Sequence, residues 1–204
     1  MMPVRVSRGE RTQEEITRTA YRLFLERGYH GTSVRRIAQQ AGIALGGIYN
    51  HFSCKEDIFA AVLEAYHPYH EILPAVEAAQ GDTIEEFITS AAHGMVASLD
   101  QRPDFLNLML IEIVEFNSVH IPPMVEKVLP QFSELLQNFL KKRGNLRPVP
   151  LPILLRAFIG LFFSYYITET LLGEQLRSTN QGDALEYFVD IFLHGVVQHE
   201  RASQ

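Results

Sequence analysis

The side chains able to do chemistry are scattered along this chain rather than assembled. His67, His70 and Glu71 are residue types that bind zinc, but Pro68 intervenes, the spacing is loose and no cysteine is near. No metal site is expected there. No Ser–His–Asp set, glycine-rich phosphate loop or paired-carboxylate pattern stands out, so neither an enzymatic reaction nor a cofactor is expected. Glu112 is different. It shares a helix face with Phe105, Met109 and Phe116, and a carboxylate on such a face can pair with a cationic ligand or hydrogen-bond a polar one. The alternative is an ion pair inside the protein, for instance with Arg156. Met109, Glu112, His93, Phe116, Phe132, Tyr165 and Tyr166 are therefore the candidates for a ligand pocket. His194 and His199 read as solvated or interfacial.

The 204 residues suit one large domain or two small ones, and 47% apolar residues are enough for a sizeable core. The one cysteine, Cys54, excludes an intramolecular disulfide, which fits a reducing cytoplasm. Met1 to Glu10 is short, polar and basic, with no apolar run of the secretory kind. The net charge of −6 is unevenly spread. Residues 1–60 hold nine Lys/Arg against six Asp/Glu, whereas residues 61–204 hold nine against eighteen. A basic N-terminal third on an acidic body suggests that only the N-terminal part meets a polyanion.

Periodicity predicts helices throughout. Thr12 and Glu15 form a capping-box pair at the start of a first helix, with Ile16, Ala20, Leu23 and Phe24 on one face and Gly28 at its end. Thr32 and Ser33 are good N-caps for a second helix, whose Val34, Ile37, Ala38 and Ala41 make one stripe and whose end is marked by Gly42. A third short helix starts near Ala44, with Ile48 and Phe52 inward. Two short helices around a glycine-bearing turn are the helix-turn-helix signature, in which the second helix enters the DNA major groove. Ser53 and Glu56 form a second box opening a fourth helix, which ends or kinks between His67 and Leu73, where Pro68 and Pro74 interrupt the pattern.

Beyond it the body reads as all helix. Predicted helices run from Asp82 to Arg102, from Pro103 to about Asn117, and from Pro122 to Arg143 with a kink at Pro130 and Gly144 closing it. Asn145 to Pro152 is a loop. Pro152 to Gly173 is apolar nearly all round, but Arg156 and Glu169 leave too few uncharged residues between them for a membrane span. With the last helix, Asp183 to about Arg201, it offers more apolar face than one small subunit can cover. Either ordinary core or a four-helix dimer interface accounts for that.

The run Gly28-Tyr29-x-x-Thr32-Ser33-Val34-x-x-Ile37-Ala38-x-x-Ala41-Gly42-Ile43-x-x-Gly46-x-Ile48-Tyr49-x-His51-Phe52-x-x-Lys55-Glu56 closely resembles the N-terminal domain of the TetR family of transcriptional repressors. The resemblance covers roughly residues 10–70. It implies an all-α chain in three parts: a flexible basic arm over 1–10, a DNA-binding domain over 11–70 with its helix-turn-helix at 33–52, and a helical effector-binding and dimerisation domain over 71–204. It implies a cytoplasmic homodimer, joined through the two C-terminal helices, that binds a palindromic operator in double-stranded DNA, is released by a small-molecule effector and does not engage a membrane. Carried over by position, Thr32, Ser33 and Arg35 are expected on phosphate. The recognition helix is expected at Ala44 to His51, with Tyr49 and His51 on the DNA backbone and Lys55 on phosphate. Tyr49 has the competing reading of a core aromatic.

The sequence also departs from the family pattern. Ala44, Leu45 and Gly47 stand where polar or hydroxyl side chains are usual, and the glycines Gly46 and Gly47 weaken the helix by about 1 kcal/mol each relative to alanine. Base reading through hydrogen bonds is expected to be sparse. Ala44 and Leu45 can meet thymine methyls, Asn50 is the remaining polar candidate, and DNA shape can supply the rest. This poverty keeps a second expectation open: a helical ligand-carrier or interaction protein with a degenerate DNA-binding unit.

Overall fold

The computed structural model describes residues 7–143, 148–177 and 183–196, and every regular element among them is an α-helix. In chain order these are α1 (Arg8–Arg27), α2 (Val34–Ala41), α3 (Leu45–Tyr49), α4 (Lys55–Tyr66), α5 (Tyr69–Glu77), α6 (Ile84–Asp100), α7 (Phe105–Phe116), α8 (Ile121–Arg143), α9 (Leu151–Arg177) and α10 (Ala184–Val196). They fold as two units. The first takes residues up to His67 together with Asp104–Val125, and the second takes Pro68–Pro103 with Glu126 onward. A single boundary at residue 70 therefore misplaces α7, which packs with the N-terminal helices despite its distance in sequence.

Local chemistry sets the helix ends. At α1 the capping box is Ser7 with Glu10, not Thr12 with Glu15: Glu10 N–H donates to Ser7 Oγ at 3.1 Å and Ser7 N–H to the Glu10 carboxylate at 2.6 Å. The Ser7 backbone N–H, and after it the Ser7 hydroxyl, hold the Glu10 carboxyl below its ordinary range. Thr12 is already inside the helix, its hydroxyl donating to Arg8 O, and Glu15 pairs with Arg18. Arg8 to Glu10 are thus helical rather than part of an arm; residues 1–6, with Arg5, lie outside the described ones. Gly28 closes α1 at φ +71°, a conformation that costs a Cβ-bearing residue strain.

The start of α4 also differs from expectation. Ser53 and Glu56 do not form a box. Asp57 instead accepts the Ser53 N–H at 2.9 Å, which lowers its carboxyl pKa, and Cys54 takes the N-cap position without a side-chain bond. The box at Thr83 and Glu86 opens α6, and Asn117 ends α7 in the left-handed region at φ +50°. Pro74 and Pro130 lie inside α5 and α8. Gly144, the first residues of the predicted loop after it, and the stretch from 197 to Arg201 lie outside the described residues.

The core of the first unit joins Ile16, Ala20, Leu23 and Phe24 of α1 to Ile37 and Ala38 of α2, Ile48 of α3, and Ile58, Phe59, Val62 and Leu63 of α4. Leu108 and Phe116 of α7 complete it. Each large side chain buried this way contributes about 1.5–3 kcal/mol of transfer free energy. In the second unit α5 lies along α6, and Gly94 permits the approach, since a Cβ there would stand 3.3 Å from that of Ala75. Arg102 pairs with Glu71 beside this contact.

The segment Pro152–Gly173 of α9 is long and apolar enough to cross a membrane by length and composition. Its Leu154, Leu155, Phe162 and Tyr166 are nevertheless buried, and α9 packs on α6 and α10, with Phe158 and Phe162 5.5 and 6.0 Å from Phe192. Ile153, Ile159, Leu171 and Leu172 of α9 and Tyr187 and Ile191 of α10 are exposed.

Candidate nucleic-acid interface

The helix-turn-helix is built from the inside outward. Ser33 caps α2 by accepting the Arg36 N–H at 3.2 Å, and Gly42, at φ +67°, turns the chain by donating to Ala38 and Gln39 carbonyls. Ile43 N–H then reaches Ala38 O at 2.9 Å, which closes the turn. With only five residues and no side-chain cap at Ala44, α3 has little helical stability of its own. It is anchored by Ile48, which is wholly buried, and by Phe52 just beyond it.

What this anchoring leaves outside is a short surface of Ala44, Leu45, Gly46, Tyr49 and Asn50, with Gly47 and His51 half-buried. Tyr49 is 53% exposed and Leu45 41%, so the core reading of Tyr49 does not hold. Ser33 and Arg35 are exposed at the start of α2, and Arg35 makes no ion pair with any described residue.

Two residues expected on phosphate have other partners. Thr32 is 1% exposed, and its hydroxyl donates to the carbonyls of Leu23 and Gly28, both at 3.0 Å. It ties the end of α1 to the start of α2 and has no free face. Lys55 directs its ammonium at the carbonyls of Tyr29 (2.9 Å) and Thr32 (3.0 Å) and lies 3.9 Å from the centre of the Tyr29 ring. Burial lowers its pKa, against an opposing pull from Glu115, and burial raises that of Tyr29. Lys55 thus holds the α1–α2 connection against α4. Nothing in the side-chain pattern predicts that, because its partners are backbone carbonyls.

The pocket candidates divide between the units. Met109, Glu112 and Phe116 belong to the first unit, where Phe116 stands 4.7 Å from both Phe59 and Tyr29. Glu112 is completely buried and bonds to His120, not to Arg156, so its carboxylate is already engaged. In the second unit His93 is half-buried and pairs with Glu186 at 2.7 Å, Tyr165 meets Phe188 edge-on, and Tyr166 is buried. Phe132 lies in α8, with its side chain outside the described residues. His67, His70 and Glu71 part company: His67 meets Phe105 edge-on, His70 lies beside Tyr69, and Glu71 pairs with Arg102. His194 is exposed and bonds back to Asp190, while His199 lies outside the described residues.

A buttressed helix-turn-helix whose second helix is anchored inward and bare outward defines a helix-turn-helix DNA-binding protein. Residues 16–62 match the family model described as bacterial regulatory proteins, tetR family. Residues 16–62 thus carry the DNA-binding region described by that family, and the relatives and solved structures that the chain resembles are HTH-type or TetR-family transcription regulators. Among its relatives, it is 22% identical to the uncharacterized HTH-type transcriptional regulator YvkB of Bacillus subtilis, over 91% of this chain and 97% of that one. It is 28% identical to the HTH-type transcriptional repressor BepR of Brucella suis, over 66% of this chain and 68% of that one. The fold is shared with the crystal structure of a TetR-family regulator from Mesorhizobium loti, with a TM-score of 0.67, 21% identity, and coverage of 94% of this chain and all of that one.

Proposed function

We propose that this protein is a ligand-responsive repressor that binds a palindromic operator as a homodimer and lets go when a small molecule binds its second unit. The observation that carries the reading is the outward face of α2 and α3, an exposed Arg35 and Ser33 beside a side-chain-poor α3 anchored by Ile48. In this reading Ser33 and Arg35 meet phosphate, Tyr49 and His51 the DNA backbone, and Ala44, Leu45, Gly46, Gly47 and Asn50 the groove, one α3 per half-site. Thr32 and Lys55 position that face from behind.

The exposed apolar side chains of α9 and α10 support dimerisation through these two helices. The effector is assigned to the second unit, with His93, Phe132, Tyr165 and Tyr166 its remaining candidate contacts. Release needs only that the effector bind one arrangement of the two recognition helices better than the other. The relatives are transcriptional regulators rather than enzymes, and the same non-enzymatic, cytoplasmic role is proposed here.

A gel shift with DNA from upstream of its own gene tests the reading. Binding that weakens steeply with salt and is relieved by a small molecule supports it. Absence of binding to any such fragment contradicts it and favours a helical ligand-carrier with a degenerate DNA-binding unit.

A further inference from the structure

Four of the glycines in the first unit have a cause inside the protein. Gly28 and Gly42 sit at φ +71° and +67°. A Cβ on Gly31 would stand 2.2 Å from the Arg27 carbonyl oxygen, and one on Gly47 would stand 2.8 Å from Ile43 Cγ2. Gly46 has no such cause. Its φ is not in the left-handed region, and a Cβ built on it meets nothing within 4 Å. It nevertheless occupies a five-residue helix with no side-chain cap, where a glycine is costly to helix formation. On either side of it along the chain, Ala44, Leu45 and Tyr49 are exposed.

We infer that Gly46 is a specificity-determining residue: its missing side chain lets the backbone of α3 come into van der Waals contact with the DNA, so the space is reserved for the partner and not for the fold. This rests on the DNA-binding reading above. Close approach at Gly46 also gives a physical role to the small and apolar α3. With Ala44 and Gly46 bare, the helix can sit deep enough for the apolar side chain of Leu45 to reach base edges such as a thymine methyl. A Cβ at residue 46 lifts the helix and loosens each of those contacts at once, whereas loose electrostatic binding to arbitrary DNA tolerates the added distance.

The test compares wild type, Gly46→Ala and Gly46→Ser on two probes: the duplex that wild type enriches from a random-sequence library, and calf-thymus DNA. The melting temperature of Gly46→Ala is expected to equal or exceed that of wild type. Its affinity for the enriched duplex is expected to fall about ten-fold or more, with Gly46→Ser falling at least as far, while affinity for calf-thymus DNA stays within about two-fold. Gly47→Ala is the contrasting variant, losing melting temperature through Ile43 and regaining part of it in an Ile43→Ala background. If wild type enriches a duplex and Gly46→Ala binds it within two-fold, the inference is overturned while the DNA-binding reading stands. If wild type enriches no sequence, the DNA-binding reading fails and takes the inference with it.

Discussion

Glu112 takes both N–H groups of one residue, His120: the backbone N–H donates to Oε1 and the ring Nδ1–H to Oε2, each at 2.8 Å. The left-handed turn at Asn117 and Ser118 brings His120 back over the end of α7, and its ring lies 5.0 Å from that of Phe116 and 6.0 Å from that of Phe59. Its other ring nitrogen stands 3.9 Å from Glu56 at the start of α4. A fully buried carboxylate that loses the ring donor keeps only the backbone N–H, and its second oxygen is left unpaired at a large cost. His120→Ala is therefore expected to destabilise the protein by about 3 kcal/mol in urea unfolding followed by circular dichroism. A loss under about 0.5 kcal/mol, the scale of an ordinary surface substitution, would show that the pair does not hold α7 in place.

Lys55 and Arg35 separate positioning from contact. Lys55→Met removes two charge-assisted bonds to backbone carbonyls and is expected to cost about 1–3 kcal/mol of stability, with little change in the salt dependence of DNA binding. Arg35→Ala is expected to leave stability within about 0.5 kcal/mol and to reduce the salt slope by about one. Thermal melts and salt titrations on the two variants decide it; the reverse assignment would return Lys55 to the phosphate backbone.

The caps at Glu10 and Asp57 predict a pH dependence. Both carboxyls ionise more readily in the fold than in the unfolded chain, because backbone N–H groups of Ser7 and Ser53 bond their charged forms. The unfolded state therefore takes up protons first as pH falls, and the stability these groups contribute is present above the ordinary carboxylate range and lost as pH descends through their lowered values. Asp57→Asn, whose amide oxygen can still accept the Ser53 N–H, is expected to flatten the acid limb of melting temperature against pH. An acid limb identical to that of wild type would remove Asp57 from the account.

The exposed apolar side chains of α9 and α10 predict a subunit interface. Ile159→Glu or Ile191→Glu is expected to convert a dimer into a monomer in sedimentation velocity, and to weaken operator binding, since one α3 reads only one half-site. Dimers that persist in both variants would place the interface elsewhere.

Much of the helical frame was legible in the sequence because glycine, proline and apolar spacing report local geometry directly. Gly28 and Gly42 end α1 and α2 where the pattern puts them, and Ile48 and Phe52 face inward as the spacing requires. The start of α1 was obscured because Ser7 and Thr12 both lie three residues before a glutamate, and only geometry distinguishes a cap from an interior threonine. The interactions of Lys55, Thr32 and Glu112 were hidden for one common reason; for Glu112 the internal pairing holds, with His120 in place of Arg156. Their partners are backbone groups, or a histidine eight residues away across a left-handed turn, and helical periodicity carries no trace of either. The place of α7 in the first unit is a long-range packing outcome, expressed by Leu108 and Phe116 but not by anything near the boundary.

The most direct test of the central claim is a fluorescence-anisotropy titration of wild type against a labelled duplex from upstream of its own gene, repeated across salt concentrations. Saturable binding is expected, with log affinity falling with log salt at a slope of about −5 or steeper, as when a dimer neutralises several phosphates. Binding that is absent at low salt, or that shows no salt dependence, would contradict it.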